Sequence, residues 1–223
     1  MKRLIIQTSI WLAATGLLLF WPAGTIAYPG GWIFIIEMAL SSAVIGLWLL
    51  KHDPQLLQKR LGAIAGAEGQ QVWDSVLLVV VFAAFNAWIA FMAWDGGRHR
   101  FAAVPPLFQG LGAALMALCM IICWATFREN SFAAPVVKVQ AGQTTISTGP
   151  YAIVRHPMYA GALLYFAGVP LLLGSWTGLA IAPLLALMMA WRATQEEKLL
   201  RAELAGYADY LGRVRYRFIP LIW

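Results

Sequence analysis

The chain has 223 residues, of which 61% are hydrophobic and only 12% are charged. Together with a mean hydropathy of +0.71, this composition excludes an ordinary soluble domain and indicates an integral membrane protein. The formal net charge of +6 would also suit a nucleic-acid partner, but the positions of the basic residues explain it by membrane topology instead.

Six apolar segments predict membrane-spanning helices, each of which needs about 20 residues to cross a bilayer. The predicted spans are Leu4–Phe20, Gly30–Leu50, Trp73–Trp94, Pro105–Phe127, Pro157–Leu173 and Ser175–Thr194. The first and fifth are short, and the fifth and sixth are joined so closely that they should form a helical hairpin. We interpret the first as an uncleaved anchor, because further spans follow and WPAG is a poor signal cleavage site. The predicted fold class is all-α, a polytopic transmembrane helical bundle of about six spans in a single integral membrane domain.

The basic residues predict an orientation for this bundle. With a cytoplasmic N-terminus and six spans, all of the 16 Lys and Arg side chains except Arg98 and Arg100 fall on the cytoplasmic side. Such a positive-inside bias predicts an even number of spans and two cytoplasmic termini. We expect an N-terminal four-span part over residues 1–127. A catalytic part over residues 128–223 follows, in which a two-helix hairpin and a cytoplasmic C-terminal helical tail complete a cofactor site.

A few polar or reactive residues lie inside the predicted spans. Cys119 and Cys123 are four residues apart in one helix, so we interpret them as packing residues rather than as a disulfide or a zinc site. Glu37 and Asn86 each have two interpretations. They could line a path for a substrate, or they could form hydrogen bonds between helices.

The segment VRHPMYAG at residues 154–161 places two basic side chains at the start of an apolar helix. Pro157 suits the first position of that helix. The N-terminus of the helix would point its unpaired N–H groups and positive dipole end towards the cytoplasm, beside Arg155 and His156. This arrangement predicts a site for an anion such as a carboxylate. The alternative is that Arg155 anchors to lipid phosphates and His156 caps the helix.

A second group of polar residues follows the sixth span, in RATQEEKLLRAELAGYADYLGRVRYR. Arg192 and Glu196 are four residues apart and share a helix face. An arginine at the membrane edge suggests a function, although a simple surface salt bridge is the alternative. Tyr207, Tyr210 and Arg213 come next, and the alternating arginines there could instead bind lipid phosphates. Both groups together would suit a ligand with a carboxylate, an ammonium group and a ribose, such as S-adenosylmethionine.

The segment TGPYAIVRHPMYAG, followed by RATQEEKLL, YADYLGRV and IP, resembles the membrane-embedded isoprenylcysteine carboxyl methyltransferases, to which the phospholipid N-methyltransferases are related. The resemblance spans Thr148–Pro220. It implies an S-adenosylmethionine-dependent methyltransferase without a Rossmann domain, and no predicted strand leads into a GxGxxG motif. It implies Arg192 and Glu196 as catalytic residues at the methyl-transfer centre. The cofactor-binding residues that it implies are Tyr151, Arg155, His156, Tyr159, Gly161, Glu197, Tyr207 and Arg213.

The methyl acceptor stays open at this point. A carboxylate is ionised at neutral pH and needs no base, so Arg192 could hold it while Glu196 fixes the orientation of the arginine. An amine must lose a proton, and Glu196 would then be the candidate base. In either case we expect a lipophilic acceptor that enters from the bilayer among the membrane lipids, with no metal and no nucleic acid.

Two other functions fit parts of the sequence. Some membrane sterol reductases carry a similar Arg-His-Pro element, so a reductase that uses NADPH is one alternative. The other is a membrane protein without catalytic activity that serves in transport or assembly. The EE and YxxY elements favour the methyltransferase.

Overall fold

A computed structural model describes residues 1–62, 69–99 and 101–223. Its helices are α1 (Lys2–Ala23), α2 (Pro29–His52), α3 (Pro54–Leu61), α4 (Val72–Ala93), α5 (Pro106–Glu129), α6 (Pro157–Leu173), α7 (Trp176–Glu203) and α8 (Tyr207–Arg213). A π-helical segment, Trp94–His99, continues α4, and a 3-10 turn, Gly149–Ala152, precedes α6. The described residues form no β-strand, and the predicted all-α fold is confirmed.

Five helices of the described chain are long and apolar enough to cross a membrane, namely α1, α2, α4 with its π-helical extension, α5 and α7. The sixth apolar helix, α6, has only 17 residues. Large apolar side chains on the outside of the bundle, such as Leu17, Val79 and Leu187, are more than half exposed. Exposure on this scale suits contact with lipid. The polytopic helical bundle is therefore confirmed, with α7 running beyond the predicted end of its span to Glu203.

The short helix α6 lies at the centre of the bundle. Val169, Leu172 and Leu173 are at most 1% exposed. Its closest neighbour is α5, which it meets at two glycines. A Cβ atom added to Gly112 would lie 2.5 Å from the carbonyl oxygen of Gly168, and one added to Gly168 would lie 2.7 Å from that of Gly112. Only glycine permits this approach of two helix backbones, which is a common means of association in membranes.

One end of the bundle, which we call the polar end, carries α3, α8, the starts of α4 and α6 and the ends of α5 and α7. The side chain of Asp53 caps α3 by accepting a hydrogen bond from the Leu56 N–H at 2.9 Å. Arg60 then ties α3 to the segment after α5, because its guanidinium donates to the Ala133 carbonyl oxygen at 2.8 Å. Arg98 lies at the opposite end, and Arg100 falls outside the described residues.

The polar or reactive residues inside the predicted spans have different surroundings in the bundle. Cys119 and Cys123 are both free thiols on α5. Asn86 donates a hydrogen bond of 2.7 Å to the Phe82 carbonyl oxygen of its own helix rather than to another helix. Glu37 lies beside an apolar groove between α2 and α5. Its Oε2 atom is buried and has no hydrogen-bond partner within the described part of the chain.

The glycine contact between α5 and α6 gives a stability prediction. Gly112→Ala should lower the melting temperature in detergent, because the added methyl group collides with the backbone of α6. Gly110→Ala is the matched control, since a Cβ atom there meets nothing within 4 Å and alanine favours a helix by about 0.5–1 kcal/mol over glycine. A melting temperature for Gly112→Ala that equals or exceeds that of the control would contradict the packing described for these helices.

Candidate active site

The turn that starts α6 is held in place by the C-terminal segment, residues 214–223, which follows α8. His156 is the N-cap residue of α6 and Pro157 its first residue, which confirms the predicted start of the helix. The backbone N–H of Arg155 donates to the Tyr216 carbonyl oxygen at 2.9 Å, and that of His156 to the Arg217 carbonyl oxygen at 3.0 Å. The His156 side chain forms no capping hydrogen bond, so its ring is available for other contacts.

The carboxylate of Glu197 gathers three basic side chains beneath this turn. Its Oε1 atom lies 3.1 Å from Arg155 Nε and 3.2 Å from His156 Nε2. Its Oε2 atom accepts a hydrogen bond from Arg217 Nε at 3.0 Å. The side chains of Arg155 and Glu197 are each only 9% exposed, so the cluster is shielded from solvent. Burial strengthens such charge interactions, and each partner depends on the others.

An aromatic layer packs against the same turn. The rings of His156 and Tyr159 stack at a centroid distance of 5.2 Å with an interplanar angle of 4°. Phe218, from the C-terminal segment, meets both rings edge-on at 5.9 Å and 5.6 Å. Phe218 was not among the predicted site residues, although the IP element of the resemblance lies directly after it. The C-terminal segment thus provides backbone, charge and aromatic contacts to the site.

The second cluster is centred on Arg192, which is 7% exposed. Its Nε donates to Asp74 Oδ1 at 2.8 Å, its Nη1 to the Tyr159 hydroxyl at 2.6 Å and its Nη2 to the Pro135 carbonyl oxygen at 2.6 Å. The Tyr159 hydroxyl in turn donates to Glu196 Oε2 at 2.8 Å. Arg192 is therefore held by three partners, and Glu196 reaches it through the Tyr159 hydroxyl rather than by the simple salt bridge that the four-residue spacing suggested.

The two clusters meet at a cavity at the polar end. It has an interior of about 120 Å³ and about 920 Å³ of empty space when its solvent-open mouth is included. Its walls come from the segment 130–146, the 3-10 turn Gly149–Ala152, the start of α6, the end of α7, and α8. Seven predicted site residues line it, namely Tyr151, Arg155, His156, Tyr159, Arg192, Glu196 and Tyr207. The fold therefore brings most of the predicted site residues to one place.

Three predicted cofactor-binding residues lie elsewhere. Glu197 is behind the wall, where it holds Arg155 and His156. Gly161 faces α5, and a Cβ atom added there would lie 3.4 Å from the sulfur of Cys119. Arg213 is exposed at the end of α8. The physical reason is helical rotation: neighbouring motif residues point to different sides, and the sequence does not show which side meets the cavity.

The tyrosines of the cavity are buried phenols. Tyr151 accepts a hydrogen bond from Asn130 Nδ2 at 2.8 Å, and the Tyr210 hydroxyl donates to the Tyr151 carbonyl oxygen at 2.8 Å. Burial raises the pKa of Tyr210 to about 12. Burial is also the main cause that raises the pKa of Tyr151 and of Tyr207 well above the ordinary value. These side chains stay protonated at neutral pH and serve as hydrogen-bonding groups rather than as bases.

Asp74 is a site residue that the sequence analysis missed. It is fully buried, at 0% exposure, in the first turn of α4. A signal was present, because VWDSVLL places a single carboxylate inside an apolar span, where charged residues usually have a function. Glu37 and Asn86 were considered for that reason, whereas Asp74 was not.

The described chain is a polytopic helical bundle with a polar cavity at one end. Residues 108–205 match the family model described as phospholipid methyltransferase. The matched segment runs from α5 to the end of α7 and contains six of the seven predicted residues that line the cavity. The match confirms the resemblance to this group of membrane methyltransferases, to which the isoprenylcysteine carboxyl methyltransferases are related. No curated protein matches the chain.

The Glu197 cluster gives a second stability prediction. Glu197→Gln should lower the free energy of unfolding by roughly 3 kcal/mol, because it leaves buried cations without their shared counter-charge. The measurement is unfolding of the purified protein in detergent. Glu203→Gln is the control, since that exposed side chain lies on the same helix and its loss should change the free energy by less than about 0.5 kcal/mol. Equal effects of both substitutions would contradict the structural role of Glu197.

Proposed function

We propose that the protein is an S-adenosylmethionine-dependent methyltransferase that moves a methyl group to a lipophilic acceptor in the membrane. The observation that carries this function is the meeting of seven predicted site residues around one cavity, in or next to the segment that matches the phospholipid methyltransferase family. The family match favours methyl transfer over the reductase that shares the Arg-His-Pro element. The distribution of basic residues favours a cytoplasmic position for the cavity and for both termini.

The donor set of the cavity fits the cofactor. Arg155 lines the cavity in addition to pairing with Glu197 through Nε, so the rest of its guanidinium could bind the cofactor carboxylate. Glu196 offers a carboxylate to the ammonium group or the ribose hydroxyls. Leu200 and Leu204 supply apolar surface for the adenine. Among the described residues, no group of three or more His, Cys, Asp or Glu side chains could hold a metal ion.

The chemistry requires positioning more than acid–base catalysis. When bound, the cofactor supplies an electrophilic methyl group on a positively charged sulfur. The sulfur is the leaving group and keeps the electron pair of the broken carbon–sulfur bond. The protein must hold the acceptor atom in line behind the methyl group and keep water away, and such alignment can contribute several kcal/mol. Arg192 and Tyr159, which are joined by a hydrogen bond of 2.6 Å, form a rigid pair suited to that task.

A carboxylate is the first candidate acceptor, as in isoprenylcysteine carboxyl methylation. The donors of the cavity support it, because Lys138, Arg155 and Arg192 line the wall, although Glu197 and Asp74 already pair with the two arginines. The three hydrogen bonds of Arg192 use three of its five N–H donors, which leaves at most two for an acceptor. A carboxylate acceptor would therefore bind to a guanidinium that is already fixed in direction.

An amine is the second candidate acceptor, as in phospholipid N-methylation. Asp74 already balances the charge of Arg192 at 2.8 Å. Glu196 accepts a hydrogen bond from Tyr159, and its described basic neighbour is His156, whose Nδ1 lies 3.9 Å from Glu196 Oε2. The side chain of Glu196 is 27% exposed, so it could accept the proton that an amine releases when it is methylated.

Cofactor binding is the first test. We expect the purified protein to bind adenosylhomocysteine with micromolar affinity and His156→Ala to weaken that binding at least tenfold, as measured by calorimetry in detergent. His99→Ala is the control, because His99 is exposed at the opposite end of the bundle and its removal should change nothing. A folded wild-type protein without affinity for adenosylhomocysteine would overturn the proposed function, and pyridine nucleotides would then be tested.

The acceptor is identified by the effect of pH and of Glu196→Gln on kcat/KM. With a carboxylate-bearing lipid we expect little change between pH 6 and 8, because the acceptor is ionised throughout, and a loss of less than about tenfold in E196Q. With an amine-bearing lipid, kcat/KM should rise about tenfold per pH unit below the pKa of the amine, and E196Q should lose about 100-fold. Turnover of the amine lipid alone, with that larger loss, would replace the carboxylate by the amine.

A further inference from the structure

The carboxylate of Asp74 connects parts of the chain that are distant in sequence. Its Oδ1 atom accepts from Arg192 Nε at 2.8 Å. Its Oδ2 atom accepts from the Val137 N–H at 2.9 Å and from Gln70 Nε2 at 2.8 Å. Asp74 lies outside the segment 108–205 that matches the methyltransferase family, and it does not line the cavity itself.

These contacts close a ring of hydrogen bonds around the cavity wall. Arg192 Nη2 donates to the Pro135 carbonyl oxygen at 2.6 Å, two residues before Val137 returns the connection to Asp74. Pro135, Val137 and Arg192 all line the cavity. One buried carboxylate therefore fixes both the direction of the guanidinium and the path of the neighbouring backbone.

We propose, on the basis of the methyltransferase function above, that Asp74 is a positioning residue for the methyl-transfer site. It does not touch the reacting atoms. It holds Arg192 in the direction that meets Tyr159 and holds the 135–137 backbone against the cavity. The first four helices then do more than anchor the catalytic part, because α4 contributes the group that orients its central arginine.

Asp74→Asn tests this role, because the amide keeps the size of the side chain but removes the negative charge and one acceptor. We expect amide hydrogen exchange in the peptide that contains Val137 to become at least tenfold faster. We also expect kcat to fall at least tenfold. Asp74→Glu keeps the charge and should recover part of both losses. It also serves as the test variant if Asp74→Asn does not fold.

Asp95→Asn is the matched control. Asp95 is also a buried carboxylate, 2% exposed, but it lies in the π-helical extension of α4 and binds Ser175 at the opposite end of the bundle. It should leave exchange at Val137 and kcat unchanged. Unchanged exchange and turnover in Asp74→Asn, or the same losses in Asp95→Asn, would overturn the positioning role.

The two proposals fail in different ways. Hydrogen exchange at Val137 reports the position of the wall and needs neither cofactor nor acceptor. If exchange accelerates in Asp74→Asn while the wild type binds no adenosylhomocysteine, the methyltransferase function is overturned and the structural connection made by Asp74 is supported. If the wild type binds adenosylhomocysteine and Asp74→Asn alters neither exchange nor kcat, the methyltransferase function is supported and the positioning role of Asp74 is overturned.

Discussion

A buried guanidinium is the constraint on which the polar end of this bundle depends. Arg192 keeps its charge at any relevant pH, and a charge taken out of water is costly unless partners replace its hydration. Those partners are Asp74 from α4, the Tyr159 hydroxyl from α6 and a carbonyl oxygen of the segment after α5. Because three separate parts of the chain must reach one side chain on α7, their relative positions are set by that requirement.

The two adjacent glutamates of α7, Glu196 and Glu197, have largely different partners. Consecutive positions on a helix point about 100° apart, so Glu196 and Glu197 lie on opposite sides of the His156 ring, at 3.9 Å and 3.2 Å from its two nitrogens, and otherwise have different partners. Glu196 faces the cavity and meets Tyr159. Glu197 faces the turn before α6 and meets Arg155, His156 and Arg217. One carboxylate thus faces the cavity, and the other holds together the side chains behind the cavity wall.

The sequence predicted the helices of this structure better than the directions in which their side chains point. Apolar length identified the helices, and Pro157 marked the start of α6 because proline is tolerated in a first helical turn. Periodicity could not tell which side of α6 meets α5, and Gly161, which was predicted to bind the cofactor, faces α5. Asp74 was missed because its importance comes from Arg192, which lies 118 positions away in the sequence. Contacts of that kind arise only when the helices pack.

The burial of the charged turn before α6 argues against a lipid anchor there. The 17 residues of α6 rise about 25 Å at about 1.5 Å per residue, which is less than the roughly 30 Å of a bilayer core. Such a helix is at the short limit for crossing a bilayer, and the two basic residues before it are enclosed by protein. His156 is 8% exposed, and the Arg155 side chain 9%. These two basic groups lie beneath the C-terminal segment and line the cavity, so they have little access to lipid phosphates.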